Sequence, residues 1–207
     1  MKKLNTVFLV LTLSSGCSQE IISSKYAESI NSNDLEDLLS VYSSDDFEGR
    51  QTGTKGDRTA ANFLRDFYIF NKIGPALHTI DYFQSYQLNL PGKMYTFNYS
   101  FPSTLRGYDR YAQGDNFVDT QNVASIIEGE IYPESYLIIT GHLDHVGING
   151  EEVYNGADDN GSGTVSILEI AQAFQEAVKD GIRPKRSVVF LHVSGEEEGL
   201  LGSEYYV

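Results

Sequence analysis

Two short apolar runs flank an amphipathic helical pattern, and few architectures accommodate all three. SYLIIT (135–140) and SVVFLHV (187–193) are short, β-rich and mainly apolar, and read as strands. Between them, from about Ser162 to Lys179, Val165, Leu168, Ala171 and Phe174 recur at helical spacing. Strand, helix and strand over residues 136 to 193 form a crossover unit. Its two strands should be parallel neighbours with a right-handed connection. NVASIIEG (122–129) reads as another strand, and EEEGLLGSEYYV (196–207) as the start of another helix. The expected fold class is α/β, a mixed and partly parallel sheet between helices.

Upstream, NDLEDLLSVYSS (33–44) predicts a short helix with an Asn or Asp cap. A Gly-punctuated loop follows, then a helix from about Asp57 whose apolar stripe is Ala60, Leu64, Phe67 and Phe70. The loop is not a phosphate-binding P-loop, because Thr54 stands where the second glycine belongs. Tyr86, Leu88 and Leu90 alternate with polar residues before Pro91-Gly92, and Tyr95, Phe97, Tyr99 and Phe101 alternate after it. That pattern predicts an edge-like hairpin, its aromatic face the buried side of a sheet, with residues 102 to 119 as a loop.

With 207 residues, 41% of them hydrophobic, the chain can build one ordinary domain. A formal charge of -14 excludes nucleic acid as a partner, since phosphate binding needs clustered Lys and Arg. At the amino terminus, Lys2 and Lys3 precede VFLVLTL (7–13), then Ser14, Ser15, Gly16 and Cys17. This order predicts an export signal over residues 1–16. The apolar run is too short to span a bilayer, which takes ~20 residues. Cys17, the chain's only cysteine, stands where a bacterial lipoprotein carries its lipid, although Leu13 falls one step early. The expected organisation is therefore a lipid-anchored tether over 17–33 and a domain over 34–207. The location would be the bacterial cell envelope, with membrane contact only through Cys17, or the periplasm or exterior.

Ligands of an open α/β sheet bind beyond the carboxyl ends of its strands, and three motifs fall there. GHLDH (141–145) follows one strand and offers His142 and Asp144. GADDNGSG (156–163) precedes the helix and offers Asp158 and Asp159. SGEEEG (194–199) follows the other strand and offers Glu196, Glu197 and Glu198. One imidazole with several carboxylates matches the donors of a Zn²⁺ site, including a two-metal site with a bridging carboxylate. Glu198 reads as solvated, His145 as structural, and His192, flanked by Leu and Val, as a packed core histidine. The rival reading is a calcium loop with Asp158, Asn160, Ser162, Gly163 and Glu169 at EF-hand spacing. Against it, the loop is entered from a strand, and Glu169 falls inside the expected helix.

GHLDH, GADDNGSG and EEEGLLGS, in this order, resemble the two-zinc aminopeptidases of metallopeptidase family twenty-eight. That group includes bacterial leucyl aminopeptidases and glutamate carboxypeptidase II. FEGRQTGTKGDRTAANFL, NKIGP and NVASIIEG look like the amino-terminal half of the same family, so the resemblance runs from about residue 44 onward. It implies the family's phosphorylase/hydrolase-like zinc peptidase fold, two Zn²⁺ ions and a peptide substrate. It also implies His142, Asp159 and Glu197 as metal ligands, Asp159 bridging, with Asp144 behind His142 and Glu196 as general base. The peptide bond after Asp159 is expected to be cis. The family completes its site with a further Asp and His downstream of the glutamate pair, and Val207 follows Glu197 by ten residues. The expectation is accordingly an amino-terminal portion of such an enzyme, inactive as this chain. The alternatives are a non-catalytic binding relative on the same fold and the calcium module; glutaminyl cyclases share the fold but use one zinc for a different reaction.

Overall fold

The computed structural model describes residues 24–89 and 117–207. The expected signal, Cys17, part of the tether and the hairpin beyond Asn89 lie outside the described residues. Among the described residues no helix is long and apolar enough to cross a membrane.

Helix α1 (Ser32–Tyr42) begins where Asn31 accepts from the amides of Asn33 and Asp34, an N-cap of the expected kind. It starts ahead of the domain boundary expected at residue 34. The chain before it is already tied down, with Lys25 Nζ and Tyr26 OH bonded to Asp180 at 2.6 and 2.8 Å. A tight turn over Asp45–Arg50 leads into α2 (Lys55–Asn71), capped by Thr54. The buried face of α2 is Ala60, Ala61, Leu64 and Tyr68, whereas Phe70 is 84% exposed. The expected stripe thus holds at Ala60, Leu64 and the partly buried Phe67 and fails only at Phe70, whose inward place is taken by Tyr68. Tyr68 is held inward by a long-range pairing: its OH lies 2.7 Å from His192 Nε2, both side chains fully buried. His192 is the core histidine the sequence suggested, and burial depresses its pKa to about 3.

The strands are β1 (Gly74–Pro75), β2 (Phe83–Asn89), β3 (Phe117–Ile127), β4 (Tyr132–His142), β5 (Gly147–Asn149), β6 (Glu152–Tyr154) and β7 (Arg186–Val193). Helix α3 (Ser162–Lys179) precedes β7, and α4 (Leu201–Tyr206) follows it. The main sheet runs β1-β3-β7-β4, with β2 also on β3, and β5–β6 is a separate hairpin. β4 and β7 are parallel neighbours as the crossover pattern requires, while β3 is antiparallel to β7 and to β2. The sheet is therefore mixed. β3 begins at Phe117, inside the expected 102–119 loop, because residues from Phe117 onward find partners in β2.

Side chains alternate across β7. Val188 and Phe190 join the large core with Tyr42, Leu64, Tyr68, Val165 and Leu168, contributed by α1, α2 and α3. Val189, Leu191 and Val193 meet Ala76 and Ala124 on the opposite face, with Tyr206 of α4 against them. Each large apolar side chain buried here contributes roughly 1.5–3 kcal/mol. The central strand is thereby fixed, and so is the point at which its loop leaves the sheet.

Candidate metal centre

Parallel pairing places the carboxyl ends of β4 and β7 together, with His142 opposite Val193. Leu143 N extends the ladder by bonding Val193 O at 2.8 Å, which delivers Asp144 beneath the loop after β7. The Asp144 carboxylate is wholly buried and accepts from Glu196 N at 3.2 Å, Glu197 N at 3.4 Å and Thr52 Oγ1 at 2.8 Å. It staples the two loops together. Its relation to His142 differs in detail from the expectation. The nearer partner of His142 Nδ1 is the backbone oxygen of Asp144 at 3.1 Å, with the carboxylate at 3.7 Å.

The third loop arrives from the β5–β6 hairpin. Gly156 adopts φ 51 with its Cα against the His145 ring, where a Cβ would sit 2.5 Å from Cγ. Only glycine fits that approach. An irregular turn over Ala157–Gly161 then carries Asp159 to the site, and the Asp159–Asn160 peptide is cis, as the resemblance implied. Asp159 Oδ1 stands 3.1 Å from His142 Nε2, and Glu196 Oε2 stands 3.9 Å from it. Glu197 Oε1 is 2.7 Å from His145 Nδ1. Ligand atoms of His142, Glu196 and Glu197 lie within 4.8 Å of one another, as do those of His145, Asp159 and Glu197.

Burial works against a charged His142, but the neighbouring Asp144 and Glu196 outweigh it and push the imidazole up to about 9. The pocket favours a cation. Burial raises the Glu196 carboxyl, and the negative charges of Asp144, Glu197 and Asp159 add to it against the pull of His142. Glu198 is half-buried rather than solvated, and burial raises its pKa too. It belongs to neither donor group.

These donors fit zinc. Ligand atoms sharing a tetrahedral Zn²⁺ at ~2 Å sit ~3.3 Å apart, close to the 3.1 Å between His142 Nε2 and Asp159 Oδ1. The 2.7 Å contact of His145 is instead a hydrogen bond onto Glu197. His145, read from the sequence as structural rather than as a ligand, thus holds Glu197 in place. The two carboxylates of the calcium reading, Asp158 and Glu169, belong to neither donor group. Asp158 is exposed, and Glu169 lines a groove with Asp34 and Asp37 between α1, α2 and α3.

Comparison with known proteins agrees with this geometry. Residues 122–207 match the family described as Peptidase family M28. A probable glutamate carboxypeptidase of Arabidopsis thaliana is 37% identical over 87 residues, 42% of this chain and 12% of that protein. A probable aminopeptidase of Saccharomyces cerevisiae is 41% identical over 80 residues, 37% of this chain and 21% of that protein. The matched stretch is thus a small part of each relative's length. The LapA aminopeptidase of Legionella pneumophila superposes with a TM-score of 0.55 at 17% identity, covering 97% of this chain and 43% of that one. A glutaminyl cyclase of Porphyromonas gingivalis gives 0.55 at 16% identity, covering 86% and 53%. At such identities the likeness speaks for the fold, which a peptidase and a cyclase share.

Proposed function

From the match of residues 122–207 to Peptidase family M28, we propose that this chain carries the zinc site of an aminopeptidase. The observation that carries the reading is the meeting of three loops, from the ends of β4 and β7 and the start of α3. They gather His142, Asp159, Glu196 and Glu197 at one mouth of the sheet.

In this reading His142 and Glu197 would each hold one of two zinc ions, with Asp159 shared between them. Zinc held there would supply Lewis acidity toward a peptide carbonyl and would lower the pKa of a water toward ~7. Glu196, the base that the resemblance implies, lies 3.9 Å from His142 Nε2 and would take the proton from the attacking water. It then passes that proton to the leaving amine. Asp144 fixes both glutamates through their backbone amides. The surplus of carboxylates suits a substrate presenting a free ammonium at its N-terminus.

Shared use of Asp159 leaves each ion with two identified protein ligands, against the three usual in a catalytic zinc site. The 207-residue chain should accordingly hold zinc weakly and turn over slowly. The test combines zinc titration by chelator competition with aminoacyl-p-nitroanilide hydrolysis and a glutaminyl cyclisation assay. Glu197→Ala should lose zinc affinity, whereas Glu196→Gln should keep zinc and lose zinc-dependent hydrolysis. Exchanged phenotypes would put the roles out of register, and cyclisation without hydrolysis would favour the cyclase chemistry of the shared fold.

The basic, apolar and small-residue order of the first 17 residues supports export with lipid on Cys17. Mass spectrometry of the exported protein should find acyl chains on that residue, and a mature N-terminus elsewhere would contradict it.

A further inference from the structure

Arg50 is the largest fully buried side chain among the described residues, with 0% exposure. Among those residues no carboxylate lies within ion-pair distance of it. A buried, unpaired guanidinium is costly unless its donors are satisfied, and here backbone carbonyls satisfy them. Nε donates to Leu143 O at 3.1 Å, and Nη1 to Tyr42 O at 3.0 Å and Asn155 O at 2.8 Å. Nη2 donates to Gly156 O at 2.9 Å. The guanidinium carbon lies 4.7 Å from the centre of the Tyr42 ring, and Tyr42 OH shares Leu143 O at 2.9 Å. Arg50 holds φ 52, a left-handed backbone that a side chain adopts only where its surroundings enforce it. Its own carbonyl accepts from His145 N at 3.2 Å.

Leu143 lies between His142 and Asp144, and Asn155 and Gly156 begin the turn that ends in Asp159. One planar fork therefore grips both loops whose side chains meet at 3.1 Å, His142 and Asp159. Asp144 and Asp159 are also the carboxylates whose charge acts on Arg50. We propose that Arg50 is a positioning residue of the metal centre, fixing the separation of the His142 and Asp159 loops from below. The proposal rests on the zinc reading above. Lysine cannot replace it. An ammonium keeps the charge but places its donors at one point, out of reach of carbonyls that diverge around a fork.

The test uses the 207-residue chain with Arg50→Lys, and Leu64→Ala as a core truncation in α2. Zinc affinity, the absorption spectrum of bound Co²⁺ and metal-free thermal melting are measured for each. Arg50→Lys should bind zinc at least about tenfold more weakly and alter the Co²⁺ spectrum. Leu64→Ala, though less stable, should stay within about twofold of the parent affinity and keep its spectrum, as additivity of distant sites requires. Parental affinity and spectrum in Arg50→Lys would overturn the proposal, as would an equal loss in Leu64→Ala. If the lysine variant does not fold, Tyr42→Phe removes one of the two donors to Leu143 O without touching the guanidinium. It should then weaken zinc about two- to threefold, on the scale of one hydrogen bond, and unchanged affinity would overturn the proposal. A parent chain whose zinc affinity does not respond to Glu197→Ala would instead reject the metal-centre reading itself.

Discussion

β4 and β7 lie side by side and parallel, carry similar apolar runs, and each delivers part of the donor cluster. Their surroundings differ. From Ser187 to Val193 every residue of β7 is buried, whereas Tyr136, Leu137 and Ile138 of β4 are 44%, 51% and 46% exposed. β7 has a strand on each side and side chains packed over both faces, while β4 pairs only with β7 among the described residues. Hydrophobicity in the sequence did not decide burial; neighbours did. The two halves of the site are consequently held by different means. Glu196 and Glu197 leave a strand locked in the core, but His142 leaves an exposed one and depends on the buried groups beneath it: Leu143, Asp144 and Arg50.

The largest effect should come from β7. Phe190→Ala empties a fully buried position and should cost ~3–5 kcal/mol in urea unfolding, against less than about 1 kcal/mol for Leu137→Ala on β4. Equal losses would erase the distinction between the strands.

Next in size is a pH effect at the start of β7's loop. Asp57 is buried and accepts from Gly53 N, Thr120 Oγ1 and Ser194 Oγ at 2.9, 2.7 and 2.9 Å. Burial raises its pKa from 3.8 to about 7, against the pull of the Thr120 bond. A folded-state pKa above the unfolded one means that the fold binds the proton more tightly. Its contribution is full below pH ~4 and is lost as pH rises through 7, up to ~4 kcal/mol. His192, held neutral by burial, acts oppositely below its unfolded pKa, so the parent curve mixes the two. The stability difference between parent and Asp57→Asn isolates Asp57, and should fall steadily in the variant's favour from pH 4 to 7. A constant difference would show that Asp57 is already ionised in the fold at low pH.

A smaller effect is expected at the staple. Asp144→Asn keeps the shape but turns an acceptor away from one of the amides at residues 196 and 197. It should weaken zinc about 10–100-fold while costing only about 1–2 kcal/mol of stability. Asp158→Asn, exposed and outside both donor groups, should change neither. The smallest effect belongs to the surface of β4. Leu137→Lys should alter stability by less than ~0.5 kcal/mol yet reduce self-association in sedimentation velocity, because it breaks an exposed apolar strand.

Local patterns were legible where local forces decide. The spacing of Val165, Leu168, Ala171 and Phe174 gave α3 its observed limits, and the crossover pattern gave the parallel β4–β7 pair on which the site depends. What could not be read depends on partners distant in sequence. Arg50 sits in a Gly-rich stretch that reads as a surface loop, and its burial requires Leu143, 93 residues away. Tyr68 turns α2 inward because it meets His192, 124 residues away. The strand-end motifs were legible as one site, but the grip of Asp144 on the amides of Glu196 and Glu197, 52 and 53 residues away, was not.

The most direct test of the central claim is an anomalous difference map at the zinc edge, from crystals of this chain grown with zinc. The account predicts density ~2.0–2.2 Å from His142 Nε2 and from a carboxylate oxygen of Asp159, with Glu197 on a second ion sharing Asp159 and Glu196 outside both coordination shells. Density away from this cluster, or with Glu196 coordinated and Glu197 free, would contradict it.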